Sequence, residues 1–141
     1  MRVVIDTNIL LVSISPNSQF YWIFESFLDE KFELCVTTDI LMEYEEILTN
    51  HAGQALSSTI LQIIENASNT IFITRYYQWD LIKNDPDDNK FADCVVAANA
   101  KYLVTHDKHF NQLRNIEFPK IDVISAEEFK KALEDADEES N

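Results

Sequence analysis

The stretch Arg2-Val3-Val4-Ile5-Asp6 decides the fold class that we predict for this chain. Its β-branched residues are apolar at consecutive positions and do not alternate with polar ones. This pattern is typical of a central parallel strand that is covered on both faces. The run ends at an aspartate, so the first predicted strand carries a carboxylate at its carboxyl end.

Strands and helices alternate along the rest of the chain. Four further apolar runs predict strands, at Phe32–Val36, Ile71–Ile73, Tyr102–Thr105 and Ile121–Ile124. Segments with helical spacing or capping residues predict helices, at Ser18–Glu30, Ile40–Thr49, Leu56–Asn66, from the turn at 85–88 to Asn99, and after Ser125. This alternation predicts an α/β fold, a three-layer α/β/α sandwich around a mostly parallel sheet of about five strands. We expect a single domain over residues 1–133, followed by a disordered acidic tail at residues 134–141.

The charge balance opposes a generic nucleic-acid surface, because 25 acidic and 11 basic residues give a formal net charge of −14. Two features soften this objection. Part of the negative charge belongs to the acidic tail. The basic residues are concentrated after Lys83, and five of them outnumber the acids of their own segment: Lys90, Lys101, Lys108, Arg114 and Lys120.

The sequence carries no pattern of a membrane or secreted protein. No apolar run approaches the roughly 20 residues that cross a bilayer. The apolar stretch Val3–Ile14 is interrupted by Asp6 and Asn8, which does not fit a signal peptide. We therefore expect a cytoplasmic protein. Cys35 and Cys94 lie in apolar surroundings without metal-ligand spacing, which favours core packing.

Two predicted strands end near an aspartate, the first at Asp6 and the fourth at Asp107. In parallel α/β sheets, ligands bind beyond the carboxyl ends of the strands. Each aspartate could instead cap the turn or helix that follows it. Two such residues at strand ends of one sheet favour a site, since an unpaired charge beside a core is costly.

Two helices can bring further acids to the same edge. On the Ile40–Thr49 helix, Glu43 and Glu45 each lie about 100° from the centre of the apolar stripe, on opposite flanks, whereas Glu46 faces away. Helical geometry does not choose between the first two. Asp88 and Asp93 are about 140° apart on the later helix, so both reach one pocket only if Asp88 lies in a frayed first turn.

A ring of three to five carboxylates, with no Cys or His required, suits a hard divalent cation. Oxygen ligands of this kind bind Mg²⁺ or Mn²⁺ and do not select zinc. The carboxylates repel one another, and a bound cation makes their shared ionisation tolerable. Metal held in this way can align a phosphodiester and activate water.

Four segments, in this order and spacing, resemble the PIN-domain family: Val3-Val4-Ile5-Asp6-Thr7-Asn8-Ile9-Leu10, Glu43-Tyr44-x-x-Ile47-Leu48, Asp85-Pro86-Asp87-Asp88-Asn89-Lys90-Phe91-Ala92-Asp93-Cys94, and Leu103-Val104-Thr105-His106-Asp107. More narrowly, they resemble the bacterial branch described as toxin components of toxin–antitoxin pairs. The resemblance covers nearly the whole chain. It implies an Mg²⁺- or Mn²⁺-dependent endoribonuclease that cleaves single-stranded RNA.

The resemblance also implies roles for individual residues. It maps Asp6, Glu43, Asp93 and Asp107 onto the family's acidic quartet, and so chooses Glu43 over Glu45. Asp88 matches an additional acid of this branch and competes with Asp93 for the third place.

Further residues and partners follow from the same resemblance. Thr7, Asn8 and Thr105 match polar positions that orient the acids, whereas His106 and His109 depart from the family pattern. An antitoxin protein and a second copy of the chain are candidate partners. From the residues alone, Lys90, Lys108 and Arg114 are candidates for contacts with RNA phosphates.

Two other functions are compatible with the sequence. A Mg²⁺-dependent phosphatase of haloacid-dehalogenase type also begins with an aspartate after its first strand. That class needs a second aspartate two residues later, where this chain has Asn8. The other alternative is a non-catalytic binding module of the same fold, whose acidic surface docks a basic protein partner.

Overall fold

A computed structural model describes residues 1–75, 77–83 and 85–140 of the chain. Within these residues five strands form one sheet: β1 (Arg2–Ile5), β2 (Glu33–Val36), β3 (Thr70–Phe72), β4 (Tyr102–Val104) and β5 (Val123–Ile124). The sheet has the order β3-β2-β1-β4-β5, and every pairing in it is parallel. The predicted α/β class and the number of strands are confirmed.

Helices follow the strands and flank the sheet, which gives the predicted three layers. They are α1 (Thr7–Ser13), α2 (Tyr21–Leu28), α3 (Thr38–Ala52), α4 (Gln54–Asn66), α5 (Asn89–Ala98) and α6 (Ala126–Ser140). Two 3₁₀ segments, Pro86–Asp88 and Lys108–Asn115, precede α5 and follow β4. The short helix α1 is absent from the sequence-based prediction, because its apolar residues continue the run of β1 without a break.

The strand order places a topological switch point between β1 and β4. From β1 the chain builds β2 and β3 on one side of the sheet, and then crosses to build β4 and β5 on the other. Ile5 pairs with Val104, and the Asp6 amide donates to the Val104 carbonyl at 3.0 Å. In open α/β sheets, ligands bind in the crevice at such a point. Asp6 and Asp107 follow the two strands that form it.

Burial accounts for the apolar runs. The side chains of Val3, Val4, Leu103 and Val104 have no exposed surface, as expected for strands covered on both faces. Cys35 and Cys94 are buried free thiols. Burial raises the pKa of Cys35 to about 11, so this residue packs in the core as a neutral thiol.

Capping residues fix several helix ends as the sequence indicates. Thr37 accepts a hydrogen bond from the Ile40 amide at the start of α3. At the start of α6, the Glu128 amide donates to the Ser125 hydroxyl and the Ser125 amide donates to the Glu128 carboxylate, both at 3.1 Å. This is the reciprocal capping box that the sequence predicts.

The acidic residues after Leu133 differ from the expected disordered tail, because α6 continues through residues 134–140. One of them, Asp137, lies 3.6 Å from the ammonium group of Lys31. Among the described residues, no helix is long and apolar enough to cross a membrane.

Candidate active site

Asp6 and Asp107 meet around one threonine at the switch point. Asp6 is 5% exposed, and its carboxylate accepts a hydrogen bond from the Thr105 hydroxyl at 2.8 Å. The same hydroxyl oxygen accepts from the Asp107 amide at 3.0 Å. Thr105 therefore links the two strand ends and orients the Asp6 carboxylate through its hydrogen bond.

Helix capping, the alternative role for these two aspartates, applies to Asp107 but not to Asp6. Asp6 precedes α1, but its side chain makes no capping hydrogen bond to that helix. Asp107 does cap the following 3₁₀ segment, since its Oδ1 accepts from the His109 amide at 2.9 Å. The position of Asp6 is therefore not explained by capping, and that of Asp107 is explained only in part.

Helix α3 brings Glu43 to the same edge. The Tyr44 hydroxyl donates to the carbonyl of Ile5, which holds this turn of α3 against the end of β1. The Glu43 carboxylate accepts from the Thr7 hydroxyl and lies 2.8 Å from the ammonium group of Lys90. Glu45 and Glu46 are exposed. The structure thus brings Glu43 into the site, the choice that helical geometry left open.

Asp88 completes the group from the start of α5. The 3₁₀ segment Pro86–Asp88 ends at this residue and α5 begins at Asn89, so Asp88 immediately precedes α5 as its N-cap residue. Its Oδ2 is buried and has no hydrogen-bond partner among the described residues. Burial and, after it, the negative charges of neighbouring acids together raise the pKa of Asp88 to about 7: Asp85, Asp107, Asp6 and Glu43.

Asp6 responds to the same surroundings. Burial raises its pKa above the usual value, and the charges of Asp107 and Glu43 add to this, while the hydrogen bond from Thr105 opposes it. Asp6, Glu43, Asp88 and Asp107 are called the carboxylate cluster below. Lys90 neutralises one member, Glu43, and the remaining carboxylates repel one another.

Asp93 lies outside the carboxylate cluster, although the resemblance placed it in the acidic quartet. Its side chain is buried, with one oxygen 3.2 Å from the Arg75 guanidinium and the other accepting from the Trp79 amide at 3.1 Å. Arg75 also pairs with Asp39 at 3.2 Å. The charges that act on Asp88 include that of Asp6, whereas Asp93 is paired with Arg75, so we group Asp88 with Asp6, and the identity of the third acid stays a prediction.

The remaining predicted residues take different positions. Asn8 is exposed, while Thr7 is buried against Glu43. Lys108 and Arg114 are exposed, whereas Lys90 is mostly buried in its pair with Glu43. Of the two histidines that depart from the family pattern, His106 hydrogen bonds to Glu127 outside the cluster.

His109 and Asp85 are neighbours of the cluster that sequence reasoning did not include. His109 Nδ1 lies 3.5 Å from Asp107 Oδ1 and 3.8 Å from an oxygen of both Asp85 and Asp88. The position of His109 two residues after Asp107 is the feature of the sequence that indicates its contact with the cluster. Ligand atoms of Asp85, Asp88 and His109 lie within 4.8 Å of one another.

The residues present fit a divalent cation. The donors are carboxylate oxygens, which hard cations prefer, and one buried oxygen of Asp88 has no donor to satisfy it. Asp6, Asp88 and Asp107 would hold the ion, with Glu43 beside them. Among the described residues, the group whose ligand atoms lie within 4.8 Å of one another is Asp85, Asp88 and His109, and Asp6 and Asp107 are not part of it.

The fold and the acids at its switch point define an α/β domain with a carboxylate-rich site, and comparisons identify its family. Residues 2–109 match the PIN domain, and the chain belongs to the PIN domain family. No curated protein matches the chain with significance.

Two solved structures share the fold. One is VapBC2 from Rickettsia felis, bound to a DNA fragment from its promoter. It has a TM-score of 0.62 and 18% identity, with 89% of this chain and 98% of that chain covered. The other is Mycobacterium tuberculosis VapC20, a toxin that cleaves the sarcin-ricin loop. Its TM-score is 0.59 and its identity 9%, with coverages of 82% and 97%.

Proposed function

We propose that this chain is an Mg²⁺- or Mn²⁺-dependent endoribonuclease that cleaves single-stranded RNA. The observation that carries the proposal is the group of Asp6, Asp88 and Asp107 at the switch point of a PIN domain. Among the described residues, the partly exposed His109 is the one cation close to Asp88, and none is paired with Asp6. Three acids that repel one another in this way require a positive charge, and oxygen ligands select a hard one.

Each residue has a role in the proposed reaction. Asp6, Asp88 and Asp107 would hold the ion, and Thr105 fixes the direction of the Asp6 carboxylate through its hydrogen bond. Thr7 and Lys90 position Glu43 beside them. A bound Mg²⁺ or Mn²⁺ supplies the Lewis acidity that hydrolysis of a phosphodiester requires. Asp88 replaces Asp93 as the third acid in this proposal.

The test is cleavage of a labelled single-stranded RNA by purified protein with Mn²⁺. We expect cleavage that EDTA abolishes and that Asp6→Asn removes. Glu45→Gln is the matched control, because Glu45 lies on the same helix as Glu43 but is exposed. A phosphatase would instead hydrolyse p-nitrophenyl phosphate. Equal RNA cleavage by the wild type and Asp6→Asn would refute the proposal.

The biological role belongs to the same proposal. We infer that the chain is the toxin of a toxin–antitoxin pair, acting in the cytoplasm and forming a homodimer. The support is its membership of the PIN domain family and its fold likeness to the toxin VapC20 and to VapBC2. Growth arrest on expression of the wild type, with normal growth on expression of Asp6→Asn, is the expected result.

A second candidate function is supported by a groove beside α3. This groove has a volume of about 660 Å³ and is rich in acids, with one lysine among them: Asp39, Glu43, Glu45, Glu46, Asp87 and Lys90. Its charge suits a basic protein segment, as expected for a non-catalytic binding module. Titration with Mn²⁺ separates the two functions, since a module that has lost catalysis would bind no metal at millimolar concentration.

A further inference from the structure

The basic residues of this acidic chain fall into two groups. Several have a partner: Arg2, Lys31, Arg75 and Lys90 pair with carboxylates, and Lys101 and Lys130 lie over aromatic rings. In the described part of the chain, five others have no carboxylate within ion-pair distance: Lys83, Lys108, Arg114, Lys120 and Lys131. Unpaired cations are notable in a chain with 25 acidic residues.

Three of the unpaired cations line two adjoining cavities. Lys108 and Arg114 line a cavity of about 300 Å³ together with Thr105 and Asp107 of the site. Arg114 and Lys120 line the next cavity, of about 350 Å³. The two cavities share Arg114 and Val123 in their linings, so they lie next to each other. We call the two cavities, with Lys108, Arg114 and Lys120, the basic trough.

The basic trough starts at the carboxylate cluster and follows the sheet edge. Asp107, a member of the cluster, lines its first cavity, and Val123 and Ile124 of the edge strand β5 line its second. Any long ligand bound in the trough therefore has one end beside the proposed reaction centre. The basic trough is an elongated surface groove and not a closed pocket.

The linings of the trough contain three acids beside its three cations, so their formal charges balance. Asp107 belongs to the proposed metal site. The carboxylate of Glu128 is engaged by the Ser125 amide in the capping box of α6. Asp122 is exposed and is the remaining acid of the two linings.

The opposite side of the cluster is more acidic. The groove beside α3 contains five acids, and its one lysine is bound to Glu43. A phosphate chain that leaves the cluster on that side meets five acids and one paired lysine and is repelled, whereas one that leaves along β5 meets three cations beside three acids and is repelled far less. The field of the protein thus selects one of the two directions.

We propose that the basic trough binds the phosphate backbone of the single-stranded RNA substrate on the Asp107 side of the cleavage site. This inference rests on the proposed nuclease function and adds the direction of the substrate. Lys108 contacts the phosphate closest to the scissile bond, and Arg114 and Lys120 contact phosphates further along the strand. Lys90, an RNA candidate from the sequence, has no part in this path because it neutralises Glu43.

The test compares two pairs of lysines with the same change of charge. Lys108→Gln/Lys120→Gln alters the trough, and Lys83→Gln/Lys131→Gln removes two unpaired lysines that line neither of its cavities. RNA binding is measured by fluorescence anisotropy with a labelled single-stranded 20-mer, in the Asp6→Asn background so that the RNA stays intact. Circular dichroism melts check that both variants fold.

We expect the trough pair to weaken RNA binding roughly tenfold at low salt. The slope of log K for RNA binding against log salt concentration should become less steep by about 1.4, which is about 0.7 for each lost phosphate contact. The control pair should change binding less than about twofold. In the active background, the KM for the 20-mer should rise by a larger factor than kcat falls.

Two results would overturn the trough proposal and leave the nuclease proposal intact, provided that the wild type cleaves RNA. In the first, the trough variant binds RNA as tightly as the protein with all its lysines. In the second, the trough variant and the control variant lose the same amount of binding. A wild type that binds RNA tightly but does not cleave it with Mn²⁺ would refute the nuclease function instead. Failure of the wild type to bind the 20-mer at all would overturn both.

Discussion

Two groups of acids near the carboxyl ends of the strands differ in how their charge is balanced. Asp93 and Asp39 share Arg75, and Asp93 also accepts from the Trp79 amide, so this group is complete within the protein. Asp6 and Asp88 have no arginine or lysine partner among the described residues, and burial together with neighbouring acids raises the pKa of both carboxyl groups. Burial raises the pKa of Asp93 as well, but the Trp79 amide and Arg75 oppose that effect. The first group therefore has its cation within the protein, whereas the second leaves acids that a proton or a bound cation would neutralise.

The largest expected effect concerns the strand-end acids. Asp6→Asn or Asp107→Asn should lower Mn²⁺-dependent RNA cleavage by more than about 100-fold, because even outer-shell partners of a metal contribute roughly 10- to 100-fold. Initial rates on a labelled RNA measure this effect. Near-normal rates of RNA cleavage in both variants would show that Asp6 and Asp107 do not belong to the active site.

The second prediction contrasts Asp88 with Asp93 directly. Asp88→Asn should weaken Mn²⁺ binding and cleavage strongly and leave the metal-free fold intact. Asp93→Asn should lower the free energy of unfolding by about 1–3 kcal/mol, since it breaks a buried charged hydrogen bond. Calorimetric titration and urea unfolding of both variants measure the two effects. The reverse pattern would restore Asp93 as the third acid.

The third prediction concerns pH and metal removal. The pKa of Asp88 is about 7 in the folded protein and near 3.8 in the unfolded chain, so the folded state binds its proton more tightly. The resulting stability is fully present below pH 4 and is lost as the pH rises through 7. Metal-free protein should therefore lose free energy of unfolding between about pH 4 and pH 7, and Asp88→Asn should lose less.

Mn²⁺ should reverse this loss at pH 8, where the cluster is ionised. A metal concentration of 100 times Kd adds about 2.7 kcal/mol to the free energy of unfolding. Urea titrations with EDTA or Mn²⁺ at each pH measure both trends. A free energy that rises with pH in EDTA would mean that the acids are already balanced without metal.

The smallest effect is expected at the exposed end of the Arg75 group. Asp39 is 41% exposed in its side chain, and exposed ion pairs contribute little. Asp39→Asn should lower the free energy of unfolding by less than about 1 kcal/mol and leave cleavage unchanged. A loss as large as that of Asp93→Asn would show that Arg75 depends on both acids equally.

The sequence predicts the sheet and the strand-end acids because their causes are local. Consecutive apolar residues mark the buried strands, and parallel strands bring Asp6 and Asp107 to one edge. The choice of Glu43 came from the family resemblance, because Glu43 and Glu45 flank the apolar stripe equally.

The third acid was harder to predict, for two physical reasons. The sequence was interpreted as one helix from the turn at 85–88 onward, whereas a 3₁₀ segment ends at Asp88 and α5 begins at Asn89. The helical angle between Asp88 and Asp93 therefore does not apply. The partner of Asp93 is Arg75, 18 residues away in a segment without periodicity, and no local pattern indicates that contact.

The most direct measurement is a crystal soaked in Mn²⁺, with the ion located by anomalous scattering. We predict an ion bound by carboxylate oxygens of Asp6, Asp88 and Asp107, with Asp93 still paired to Arg75. Manganese at Asp93, manganese at Asp85 and His109 without Asp6, or no manganese at millimolar concentration would contradict it.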